Sequence, residues 1–286
     1  CREEMDGNEY TEPVLPGLRG LDAINPEDAT FDAALRQGIT TVVTGPGSSN
    51  IVGGTFLAIK TAGEDMESRL ICPELAMKMA LGENPKMTFG NRGKAPRTRM
   101  MSAALMREEL FKAKEYYENY KLHGQEPDFP FDFHLHSLMR VFEGMRVKIH
   151  AHQADDIQTA VRVANEFGLH YSIEHCTEGW MIPEFLKKNN AECLLGPTVG
   201  GKSKIECQNR SYEAGRILEE AGVTFALITD APFVPIEDQL LQVILYVKNG
   251  MSREMGIRSV TLNAAKITDI DSRVGSIEPG KDADIV

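Results

Sequence analysis

Short apolar runs and amphipathic stretches take turns along this chain, most regularly from Val147 onward. Residues 147–150, 170–175, 191–195 and 223–229 read as strands. Between them, 155–167, 182–189 and 211–221 carry apolar residues at helical spacing and read as helices. Strands and helices succeeding one another about every 25 residues indicate repeated βαβ units on a parallel sheet. A barrel and a doubly wound sheet share this periodicity, so the pattern alone leaves both open.

Upstream the pattern is looser. The first 25 residues, rich in Gly, Pro and charge, read as loop. A helix is expected over 26–37, with Asn25 as N-cap, Pro26 in the first turn and Gly38 as its stop. Residues 39–44 form a β-branched run of the kind that parallel sheets bury, and 45–54 read as a Gly-rich loop. A second apolar run, 77–81, ends at Gly82, and 102–121 predict a long amphipathic helix.

Composition adds limits. The chain has 286 residues, 42% of them hydrophobic and 26% charged, which is ordinary for a globular protein. A net charge of -11, pI near 5.2 and no Lys/Arg run argue against nucleic acid or an anionic membrane as partner. Cys1, Cys72, Cys176, Cys193 and Cys207 are odd in number and form no Cys-x-x-Cys, so neither a disulfide framework nor a structural zinc site is indicated. A reducing, cytoplasmic setting fits that usage. No apolar stretch is long enough to span a bilayer. The opening Cys1-Arg2-Glu3-Glu4 lacks an initiator Met, and residues are expected upstream.

Function in parallel α/β folds collects at the carboxyl ends of strands. Three such ends here carry His150, His175 and Asp230, and neutral imidazole and carboxylate together suit Zn²⁺ and similar ions. One strand-end histidine would more often be a satisfied polar residue; the succession makes metal binding the better reading. His152, two positions beyond His150, falls on the same strand face and is a candidate to touch substrate or orient a ligand. The Gly45–Gly54 loop lacks the Lys-Ser/Thr ending of a nucleotide phosphate loop and is read as a tight loop of the active face. Lys202, Lys204 and Arg210, like Arg97 and Arg99, are read as solvated basic loops before substrate anchors.

Lys148-Ile149-His150-Ala151-His152, Ile173-Glu174-His175-Cys176 and Leu227-Ile228-Thr229-Asp230 resemble the fifth, sixth and eighth strands of the amidohydrolase superfamily, its imidazolonepropionase-like branch above all. The ending from Gly275-Ser276-Ile277-Glu278-Pro279-Gly280-Lys281-Asp282-Ala283-Asp284 is similar to that superfamily's return into a small β-sandwich. The resemblance spans roughly residues 20 to 286. It implies a distorted (β/α)₈ TIM barrel over 1–272, with 273–286 starting the sandwich domain and sandwich remnants at both chain ends. It also implies His150, His175 and Asp230 as ligands of one or two divalent ions, zinc first, with Asp230 taking the proton from an activated water. A small-molecule substrate with a C–N bond follows, and a homo-oligomer is left open.

Two features depart from the superfamily pattern. Its first-strand His-x-His is absent before residue 39, and the one elsewhere, His134-Leu135-His136, begins a helix over 137–142 and is read as a decoy. A missing first strand accounts for the loss. The fourth-strand ligand is ambiguous between Lys78, as a carboxylated lysine, and Glu83. The rival reading is a non-catalytic scaffold that kept the barrel and lost its metal.

Overall fold

The computed structural model describes residues 6–201 and 204–286; Cys1 and Lys202, singled out above, lie outside them. Seven strands form one sheet in chain order: β1 (Thr41–Thr44), β2 (Val52–Lys60), β3 (Leu70–Ala80), β4 (Arg146–Ala151), β5 (Tyr171–His175), β6 (Glu192–Leu195) and β7 (Phe225–Leu227). The pairs from β3 to β7 are parallel, whereas β1–β2 and β2–β3 are antiparallel. The sheet is a curled α/β half-barrel with β1 and β7 at its edges. All strands among the described residues belong to it.

The regular half of the reading holds closely. Helices Ala154–Phe167, Pro183–Lys188 and Ala214–Glu220 connect the parallel strands as the pattern required. Ile157, Ala160, Val161 and Ala164 turn from the first of these onto the sheet's outer face, where Val147, Ile149 and Ile173 meet them in the main core. Gly168 closes that helix in the left-handed region, at φ +66°.

The first third differs from expectation. The helix spans Ala29–Arg36, and its N-cap is Asp28, whose carboxylate accepts from the Thr30 amide at 2.9 Å. The run expected to be a buried parallel strand is β1, an antiparallel edge strand that is half-exposed. β2 overlaps the Gly-rich loop expected over 45–54 in its first three residues, Val52-Gly53-Gly54, and the apolar pattern assigns no strand to the rest of it. Its register shifts between Val52 and Gly54, and Gly54 takes φ +96° where a Cβ would lie 2.3 Å from the Leu18 carbonyl. These glycines thus serve a bulge and a close backbone crossing inside a strand. β3 is also longer than the apolar run that announced it.

The open edge at β7 is covered. Asn263 and Gln239 side chains donate to the Phe225 and Leu227 carbonyls at 2.9 and 2.7 Å, and the Leu227 amide donates to Ser259. That spends the ladder groups an exposed edge would offer to another chain. Residues 273–286 carry no helix or strand; Lys60 on β2 holds them through Asp282, at 2.9 Å, and Asp284.

Candidate metal centre

On β4 strict alternation sends Val147, Ile149 and Ala151 outward to the helices and Arg146, Lys148 and His150 into the curl. All three inward side chains are buried, and they define three polar layers. At the lower end Arg146 binds Asp269 at 2.8 Å and Glu192 at 2.5 Å. In the middle Lys148 donates to Glu174 at 2.8 Å, with Lys78 beside it in register on β3 and both ammoniums over the Phe56 ring. Burial alone would raise the Glu174 carboxyl; Lys148 and Lys78 outweigh it and hold the group below the usual carboxylate range. Burial depresses the Lys78 amine.

The upper layer is histidine. One ligand atom each from His150, His152 and His175 lies within 4.8 Å of the others, and all three residues are buried. His175 ends β5, where continued alternation would turn it outward beside Ile173; a left-handed φ of +70°, followed by +46° at Cys176, swings it to the cluster. Such a conformation costs of order 1–3 kcal/mol in a non-glycine residue and persists where surroundings over-determine it. Here the constraint is visible: His175 Nδ1 meets the Gly196 carbonyl at 2.8 Å, and His152 Nδ1 meets Thr177 Oγ1 at 2.7 Å. The Nε2 atoms of both rings stay available, the usual way a protein fixes an imidazole for a metal.

Electrostatics agree. Burial, then the neighbouring imidazoles, push His150 well below its ordinary pKa, and burial with His175 does the same for His152. His175 is lowered by burial, against an opposing pull from Asp230. Neutral imidazole is the form that binds a cation. Two buried atoms at the cluster have no partner, His150 Nδ1 and Glu206 Oε1. Three neutral donors with unsatisfied polar atoms around them fit a borderline divalent ion.

The other candidates sort as follows. Asp230 lies outside the close group, three residues past β7 and exposed, with φ +53°; it stands near enough to bias His175 and Lys78. Lys78 faces the interior below the imidazoles. Glu83 begins helix Glu83–Gly90, and its backbone amide donates to Glu206 Oε2 at 2.9 Å. Lys204 reaches Asn84 at 2.5 Å, Arg99 pairs with Asp156 at 2.9 Å, and Arg210 stacks on Phe233. His134 and His136 sit on helix Phe133–Met139, which starts before residue 137; His136 packs among Tyr116, Tyr120 and Phe131. Neither belongs to the group of three buried histidines. Sequence reasoning missed Lys148, Glu174 and Glu206. The first two had a signal, a charge inside a strand of a parallel sheet, which is covered on both faces; Glu206, in a loop, had none.

A family model described as the amidohydrolase family matches residues 28–286. The chain belongs to the amidohydrolase family. An amidohydrolase from Thermotoga maritima MSB8 superposes with a TM-score of 0.94 at 37% identity, over 97% of this chain and 73% of that one. Amidohydrolase tasK of Hapsidospora irregularis is 25% identical over 98% of this chain and 31% of its own length. The imidazolonepropionase of Thermoanaerobacter pseudethanolicus is 34% identical over 50% of this chain and 34% of its own. The chain thus spans about a third of the length of these two curated relatives. Amidohydrolases are metal-dependent and barrel-folded, which matches the curled sheet and its histidine layer. No helix among the described residues is long and apolar enough to cross a membrane.

Proposed function

We propose that this chain is the catalytic barrel segment of a metal-dependent hydrolase that cleaves a C–N bond, an amide or cyclic amide, in a small-molecule substrate. The convergence of His150, His152 and His175 at the adjacent ends of β4 and β5 carries the reading. Zinc is the ion that three neutral imidazoles suit best. When bound, such an ion supplies Lewis acidity, polarising a carbonyl and lowering the pKa of water to about 7. The protein supplies the rest. His175 and His152 are oriented through Nδ1 by Gly196 and Thr177, so their lone pairs are aimed before any ion arrives. Asp230, exposed beside His175, accepts the proton of the attacking water and returns it to the departing nitrogen. Beneath the imidazoles lies the Lys148–Glu174 pair, with Lys78 beside it.

The test is a panel of lactams, cyclic ureides and N-acyl amines, assayed by mass spectrometry for amine and carboxylate release. Turnover that is abolished by a chelator and restored by zinc is expected. Asp230→Asn is expected to retain the fold and lose about 10²- to 10⁴-fold of that rate. Turnover indifferent to chelation, or near wild-type turnover in D230N, rejects the assignment.

A further inference from the structure

Glu206 lies in the loop after β6, within the short 3-10 turn Ile205–Cys207, and is fully buried. Its two carboxylate oxygens have different surroundings. Oε2 accepts the Glu83 backbone amide at 2.9 Å, which fixes the carboxylate against the start of helix Glu83–Gly90. Oε1 has no hydrogen-bond partner. It points at the histidine layer, 3.8 Å from His150 Nε2 and 3.7 Å from His152 Nε2. The Lys204 amine stands at 3.8 Å, beyond hydrogen-bond reach, and is engaged by Asn84 instead.

Leaving a buried carboxylate oxygen unsatisfied costs well over the 1–3 kcal/mol of a neutral group. Something must repay it. Donor atoms sharing a tetrahedral ion at bonds of about 2.1 Å are separated by roughly 3.4 Å. The two distances from Oε1 lie just outside that spacing, and the ligand atoms of the three histidines lie within 4.8 Å of one another. Burial disfavours the Glu206 anion; the Glu83 amide and Lys204 oppose that, and the nearby Glu83 and Asp156 carboxylates add to it. The approach is also built for. Gly82 has φ +82°, and a Cβ there would come 3.0 Å from Glu206 Oε2 and 3.1 Å from Asp156 Oδ2. Only glycine lets that backbone sit so close to the carboxylate.

We propose that Glu206 is a further metal ligand, donating Oε1 to the ion held by His150, His152 and His175. This rests on the metal-centre reading above. The site becomes three imidazoles and one carboxylate, with the anionic donor delivered by the loop after β6.

The test is metal affinity of the full chain, measured by competition with a chromophoric chelator for Zn²⁺ and by the visible absorption of the Co²⁺-loaded protein. Glu206→Gln keeps the oxygen that accepts from Glu83 but removes the anionic donor. It is expected to weaken Zn²⁺ binding by at least about tenfold, the smaller loss typical even of groups one step removed from a metal. Its Co²⁺ spectrum should change while its melting curve without metal stays close to wild type. Glu206→Ala, checked for folding by circular dichroism, should weaken binding at least as far. Wild-type affinity and an unchanged Co²⁺ spectrum in E206Q would leave Glu206 only its contact with Glu83 and overturn the proposal, with the three-histidine site intact. A wild-type chain that binds neither ion would overturn both.

Discussion

The Lys148–Glu174 pair beneath the histidines offers a quantitative test of the layered interior. The two side chains are 2% and 7% exposed and meet at 2.8 Å, with Ser172 Oγ adding a contact to the same carboxylate oxygen at 3.2 Å. At an effective dielectric near 20 their attraction is of order 6 kcal/mol, most of it offset by the cost of burying both charges. Replacing Glu174 with Gln removes the anion that pairs with Lys148 and stands close to Lys78. Breaking a buried pair in this way costs about 3–5 kcal/mol. For a domain of this size that is a fall in Tm of roughly 6–20 °C. Melts followed by circular dichroism, with chelator present to exclude stabilisation by bound metal, measure it. The pH dependence is a second constraint. Glu174 is held below its ordinary pKa, so its stabilisation is complete above the unfolded value of about 4.3 and disappears as pH falls through the lowered folded one. The gap between wild type and E174Q should therefore be flat from about pH 6 to 8 and close in acid. Removing both charges, in Lys148→Met with Glu174→Leu, should recover part of the loss. An E174Q variant melting within a degree or so of wild type, or a gap indifferent to acid, would refute the reasoning.

Gly82→Ala should destabilise the chain by about 1–3 kcal/mol, because its left-handed backbone is costly for alanine and the new methyl meets two carboxylates; denaturant midpoints check this. His134→Ala should change neither metal content nor Tm, since that side chain is exposed. His136→Ala should lower Tm through its lost aromatic packing and leave metal content unchanged; metal analysis of the two variants separates the decoy pair from the histidine layer.

What was legible in the sequence follows from locality. β4 and β5 announce themselves through short segments with apolar residues at alternate positions, and their spacing by helix-length segments dictates parallel pairing. A histidine at the end of each then falls at one end of the sheet, whatever the fold's details. β2 was illegible because glycine has two uses that look alike in a sequence, a loop and a strand bulge beneath a crossing backbone. The third imidazole, His152, was visible by its spacing from His150, yet its equivalence to the others depends on Thr177, which no local pattern connects to it. Lys148 and Glu174 could have been suspected, because a parallel strand covered on both faces has no solvent-facing side on which to place a charge. Glu206 could not: its position is set by a turn after β6 and by an amide at the start of a helix 123 residues upstream.

The central claim is that His150, His152 and His175 hold one divalent ion, and metal content by plasma mass spectrometry on the purified full chain tests it most directly. The account predicts close to one ion per chain after exhaustive dialysis, falling to background in a His150→Ala, His175→Ala double variant that still folds. A folded wild-type chain without stoichiometric metal, even after dialysis against zinc, would contradict it, as would a double variant that keeps its ion.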